Sequence, residues 1–139
     1  MTAIELLKYQ IDGTGGQVSR VVSGLDDSSR DFRLHAGGMS VCEQVTHLGE
    51  AYRAVLAASK GDEYEWGSYK PTAETLSDLV GEVMELRKQA VETVLVDDDE
   101  KLKRGSDFIV SHDLYHVGQL ATLRLNLHPH WNSYEIYGE

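Results

Sequence analysis

The sequence predicts an all-α protein built as a four-helix bundle, and three observations carry that reading. Apolar residues recur three and four positions apart in four separate segments, the spacing of one face of an α-helix. The two prolines, Pro71 and Pro129, lie between or after those segments and never inside them. Alternation of apolar and polar residues, the mark of a half-buried strand, runs nowhere long enough to indicate a sheet. A chain of 139 residues with 41% hydrophobic and 26% charged side chains suits a single domain over residues 1–139 with a packed core.

The first helix is expected over residues 2–25, with Ile4, Leu7, Ile11, Thr14, Val18, Val21 or Val22, and Leu25 on one face. Gly13, Gly15 and Gly16 interrupt it, each costing about 1 kcal/mol relative to alanine inside a helix. Ile11 and Val18 nevertheless stay two turns apart in register, so one long helix is predicted, straight or kinked. The glycines there permit close approach of another helix or a ligand. They do not make a phosphate loop, because no Lys-Ser/Thr pair follows and no strand precedes them.

A polar loop over residues 26–39 leads to Ser40, which with Glu43 forms a capping box and starts the second helix. Its apolar stripe is Val41, Val45, Leu48, Tyr52 and Val55, and Gly61 is the stop. Tyr64, Trp66 and Tyr69 enrich the next loop, residues 61–71, in aromatics. The third helix starts between Thr72 and Thr75 and buries Leu76, Leu79, Val83, Leu86, Ala90 and Val94, with Glu82, Glu85, Arg87, Lys88 and Glu92 mostly elsewhere. Negative charge is unfavourable in a helix's last turn, so the acidic run Asp97–Glu100 is expected in the connection beyond it, as a solvated turn. The fourth helix is expected from about Gly105 to Leu127, with Ile109, His112, His116, Leu120, Leu123 and Leu127 facing inward.

Composition narrows the function. Thirteen basic against 23 acidic side chains give a net charge of −10, which repels phosphate backbones and argues against nucleic acid as a partner. The lone Cys42 cannot close an intramolecular disulfide. The segment Met1–Lys8 lacks the basic start and long apolar run of a signal peptide, and no stretch reaches the roughly 18 apolar residues of a membrane span. A soluble cytoplasmic protein without a membrane partner is the expectation.

The six histidines carry the chemistry. His112 and His116 are four residues apart, so their rings project from one helix face, at positions where the stripe calls for Ile or Leu. Replacing two apolar core residues sacrifices about 1.5–3 kcal/mol each, a loss that calls for compensation. A shared divalent metal ion provides it, a hydrogen-bonded polar core is the second reading, and exposed rings are the third. A third metal ligand must come from another helix. His47 is the candidate, beside the second helix's stripe on the ridge Gln44, His47, Ala51, Ala54 or Val55, and Ala58. Three neutral histidines would leave coordination positions open for water or substrate. His35, His128 and His130 read as solvated loop residues. The fourth helix lacks the glutamate of the H-E-x-x-H peptidase motif, and no paired Glu-x-x-His motifs indicate a di-iron site.

The segments Ser40–Leu48 and Ser111–Leu120, the latter reading Ser-His-Asp-Leu-Tyr-His-Val-Gly-Gln-Leu, resemble the DinB-like (DinB/YfiT) superfamily of metalloenzymes. In that family a His-Leu pair on the second helix and H-x-x-x-H-x-G-Q on the fourth recur, and the order and spacing here agree over nearly the whole chain. The resemblance implies a four-helix bundle with up-down-down-up connectivity, often dimeric, binding one divalent transition metal through His47, His112 and His116. It further implies an enzyme of the thiol-S-transferase or isomerase type, in which a low-molecular-weight thiol attacks a small electrophile. A metal-dependent hydrolase and a non-catalytic stress protein that binds metal or a small molecule are the alternatives. Arg124, two turns past His116, is the candidate to hold a carboxylate of the thiol, against an ordinary salt bridge or an exposed end; Cys42 reads as packing. The metal, zinc, nickel or iron, is not specified by three imidazoles.

Overall fold

Capping chemistry sets where the helices of the computed structural model begin, over residues 1–138 that the structure describes. The Thr2 hydroxyl accepts from the Glu5 amide at 3.1 Å and the Glu5 carboxylate accepts from the Thr2 amide at 3.0 Å, a reciprocal box that opens α1 (Ala3–Val22). Ser40 caps α2 (Val41–Ser59) by accepting from the Glu43 amide at 3.1 Å. Only half of the box expected there forms, because the Glu43 carboxylate turns to Arg33 at 2.5 Å. Thr75 caps α3 (Leu76–Val94) in the same way, through the Asp78 amide at 3.1 Å.

The last rod corrects two expectations. It starts at Asp99 rather than Gly105, as α4 (Asp99–Gly105), runs through a π-helical turn (Ser106–Val110), and continues as α5 (Ser111–Leu127). Asp98 caps it by accepting from the Lys101 amide at 3.0 Å, and Asp99 and Glu100 fill its first turn. The acidic run is therefore only partly a connection. Its negative charges sit at a helix N-terminus, where the macrodipole favours them.

The described residues contain no strand; the fold is all-α. One cluster of buried apolar side chains joins the rods, including Leu7, Ile11 and Val18 of α1, Val45, Leu48 and Val55 of α2, Leu79 and Val83 of α3, and Leu120 and Leu123 of α5. Each such side chain contributes about 1.5–3 kcal/mol on leaving water. Helix α2 packs on α3 and on α5, and α1 packs on α5. No helix among the described residues is long and apolar enough to cross a membrane.

At the centre of that core the four rods meet at one carboxylate. Asp113 of α5 is fully buried and accepts from Tyr52 Oη of α2, from Thr14 Oγ1 of α1 at 2.7 Å, and from Arg87 Nε and Nη2 of α3 at 3.2 and 2.8 Å. Arg87 Nη2 also donates to the Ile11 carbonyl at 2.6 Å. Placing Arg87 on the outer face of α3 is thus corrected: it is buried, and Leu86 is only half-buried. Burial opposes the Arg87 charge, and the Asp113 carboxylate more than restores it, leaving the guanidinium pKa above its ordinary value.

The same network accounts for one glycine of α1. A Cβ on Gly15 would stand 2.5 Å from Arg87 Nη1, so the guanidinium occupies the space a side chain would fill. Helix α1 runs through Gly13, Gly15 and Gly16 without a break. At the chain's end, Ile136 of a short 3₁₀ turn (Ser133–Tyr137) is buried and its carbonyl accepts from Arg20 Nε at 2.8 Å, so the tail packs on α1.

Candidate metal centre

His112 and His116 lie one turn apart on α5, and His47 lies on α2, which packs against it. The centres of the His47 and His116 rings are 6.0 Å apart, and those of His112 and His116 are 6.1 Å apart. Three imidazoles on one tetrahedral ion, with metal–nitrogen bonds near 2.1 Å, place their ring centres roughly 5 Å apart. The rings as they stand are somewhat wider than that, and among the described residues no three His, Cys, Asp or Glu side chains are drawn tightly enough to grip an ion. The cluster is graded in burial: His116 is enclosed, His112 half-buried and His47 exposed.

Gln44 sits one turn before His47 on α2 and orients His116. Its Oε1 lies 2.6 Å from His116 Nδ1. A carboxamide oxygen only accepts, so the proton is on Nδ1 and the Nε2 lone pair is free. This is the arrangement that holds a metal-binding imidazole in one tautomer. His112 has the complementary feature, a buried Nδ1 with no hydrogen-bond partner among the described residues. A buried ring nitrogen without a partner is costly, and a cation or an added ligand group would relieve it. These two features suit the donor chemistry of a divalent ion, while the ring spacing is wider than a bound ion requires.

Burial keeps the His112 and His116 rings neutral. Burial, then the nearby His112 and His47 rings, pushes the His116 pKa down to about 4. Burial also lowers the pKa of His112, with Asp113 opposing and His47 assisting. Proton competition at these two rings therefore sets in below the ordinary imidazole range.

The aromatic loop supports His112. The Trp66 and Phe108 rings each stack on it, at 6.1 and 5.9 Å between centres and 19° and 18° between planes. Glu50 of α2 pins the loop: its buried carboxylate accepts from Tyr64 Oη, from the Gly67 amide at 3.3 Å and from the Tyr69 amide at 3.1 Å. Glu50 is occupied as an anchor and is not a free base. Gly49, beside it, has no room for a Cβ, which would lie 2.5 Å from Tyr69 Cε2.

Arg124 is not brought to the histidines. It lies eight residues, about 12 Å of helix axis, beyond His116. Its Nη1 donates to the Val21 and Arg20 carbonyls at 2.9 and 3.2 Å, closing the C-terminal end of α1, and its guanidinium lies 4.4 Å from the Trp131 ring centre. In this position Arg124 caps the C-terminal end of α1. Cys42 is half-buried, and His35, His128 and His130 are exposed. The comparisons return no matching family model, no matching curated protein and no matching solved structure.

Proposed function

We propose that the chain is a DinB-like, up-down-down-up four-helix bundle, homodimeric, that holds one divalent transition metal ion on His47, His112 and His116. It uses a low-molecular-weight thiol for transfer or isomerisation chemistry on a small electrophile. The observation that carries this reading is the grouping of the three rings, at 6.0 and 6.1 Å between centres, with His116 already fixed in the ligand tautomer by Gln44. A divalent ion, when bound, lowers the pKa of a coordinating thiol so that thiolate is available near neutral pH.

The chain's own residues do the rest. His112 and His116 present neutral nitrogens at pH 7 because burial disfavours their charged forms. Gln44 holds the His116 ring in orientation, and Trp66 and Phe108 stack on the His112 ring.

The test is elemental. Protein purified without chelator is expected to carry zinc, nickel or iron near one equivalent, and H116A and H47A little; unchanged metal in H116A overturns the assignment. A generic electrophile should be consumed by the loaded protein only with a cellular thiol present. Hydrolysis of esters or amides without thiol would favour the hydrolase reading instead. Gln44→Leu is expected to weaken the metal by about 10–100-fold in chelator competition, since the ring loses its orienting partner. An unchanged affinity there would leave Gln44 with only a packing role.

A further inference from the structure

Beside the stacked His112 ring lies a cavity of about 140 Å³ that the reading above leaves unused. Ala54 and Ala58 of α2 give it a shallow floor, Tyr64, Trp66 and Phe108 give it aromatic walls, and Arg104 of α4 lines it from the start of the last rod. Arg104 Nη1 is shielded from water and has no hydrogen-bond partner among the described residues. None of the ion pairs found there involves Arg104. The other guanidinium nitrogens of Arg104 are not shielded and donate to no protein acceptor among the described residues, so these are the ones an acceptor in the cavity would meet.

Size and shape narrow the acceptor. An apolar cavity near 150 Å³ accommodates a benzene ring. Flat aromatic walls favour a planar body, and alanines on the floor let it lie close to α2. A single guanidinium, with no second cation in the lining, matches the planar two-oxygen edge of a carboxylate better than the bulk and charge of a phosphate. The Tyr64 hydroxyl is already committed to Glu50 and does not compete for Arg104.

The π-helical turn places these groups. Arg104, Phe108, His112 and His116 follow at steps of four, which in a regular α-helix drift by about 40° per step. The turn, marked by the Ser111 amide bonding back to the Ser106 carbonyl, inserts extra backbone between Arg104 and His112. Such turns are frequent at functional sites. Phe108, inside it, serves both the cavity and the His112 stack.

We propose that this cavity binds a small planar carboxylic acid of about the size of benzoate, its carboxylate on Arg104 and its unsaturated body against Trp66 and Phe108. That the occupant is the electrophilic substrate rests on the three-histidine reading; the binding site itself does not.

Benzoate and its uncharged analogue benzamide are the probes, titrated into metal-free native protein by calorimetry and by chemical-shift mapping. Benzoate is expected to bind at least about tenfold more tightly than benzamide, with shifts at Trp66 and Phe108, and R104Q to reduce benzoate to the benzamide level. Equal affinity for the two probes, no binding of either, or benzoate binding unaffected in folded R104Q overturns the proposal. The comparison of probes uses the native chain, so a poorly folding variant leaves it decisive. Adding zinc, nickel or iron back to the same preparation separates the two readings: benzoate binding without metal uptake sinks the metal centre and leaves the carboxylate site standing.

Discussion

Asp113→Asn is expected to destabilise the protein by about 3–5 kcal/mol, a large part of the roughly 5–15 kcal/mol that holds a domain of this size together. Asp113 is fully buried and Arg87 nearly so, so removing the carboxylate charge leaves a guanidinium uncompensated in the core. Arg87→Met should cost a similar amount, because it leaves the carboxylate with hydroxyl partners alone. The double variant is expected to lose markedly less than the two single losses added, since each single change already breaks the same pair. Urea unfolding of the four proteins measures all three quantities. A single-variant loss below about 1 kcal/mol would mean that the pair does not clamp the helices.

The clamp has a consequence for the histidines. Tyr52, Thr14, Arg87 and Asp113 come one from each rod, and their bonds fix how the last rod is rotated against α2. Asp113 adjoins His112 in sequence, and about 100° of helix rotation separates the two. Holding Asp113 inward on the core axis therefore aims His112 and His116 at the α2 edge that carries Gln44 and His47. Stability and site geometry are set by one interaction, so D113N is also expected to loosen the histidine cluster.

How much of this could be read from the sequence divides along a physical line. Apolar periodicity reports burial directly, and it placed Leu7, Ile11, Val18, Val45, Leu48, Leu79, Val83, Leu120 and Leu123 in the core where the structure has them. His116 was legible for the same reason, as an exception to a stripe, whereas His112, expected to face inward beside it, is only half-buried because Asp113 takes the core position. Arg87 was misplaced because a charge ordinarily implies solvent, and the stripe read for the last helix left out Asp113. Spacing held the missing signal: Leu79, Val83, Arg87, Ala90 and Val94 continue one stripe, as do Ile109, Asp113, His116, Leu120 and Leu123. Opposite charges on two inward stripes are a buried pair waiting to be matched. The π-helical turn and the loop-borne Trp66 stack left no periodic trace, because both depend on tertiary contacts rather than on local spacing.

Chelator-treated protein is expected to lose roughly 3 kcal/mol of stability as the pH falls from 6.5 to 4, through His116. Its folded pKa is about 4, against the ordinary 6.5 that the unfolded chain restores. Below pH 6.5 the unfolded chain takes up a proton that the folded chain refuses, so the unfolded state is favoured progressively. The loss is complete once the folded ring also protonates near pH 4, and above 6.5 the contribution is intact. At about 1.4 kcal/mol per pH unit the window amounts to the figure stated. His112, lowered in the same direction by burial, adds to it. H116Q keeps an amide opposite Gln44 but cannot titrate, so the difference between native and variant stability should shrink by that amount across the window. A difference that stays flat from pH 7 to 4 would show that His116 is not held neutral by its surroundings. The burial that refuses the proton also keeps the Nε2 lone pair available, so acid sensitivity of the empty site and readiness for a cation are two results of one desolvated ring.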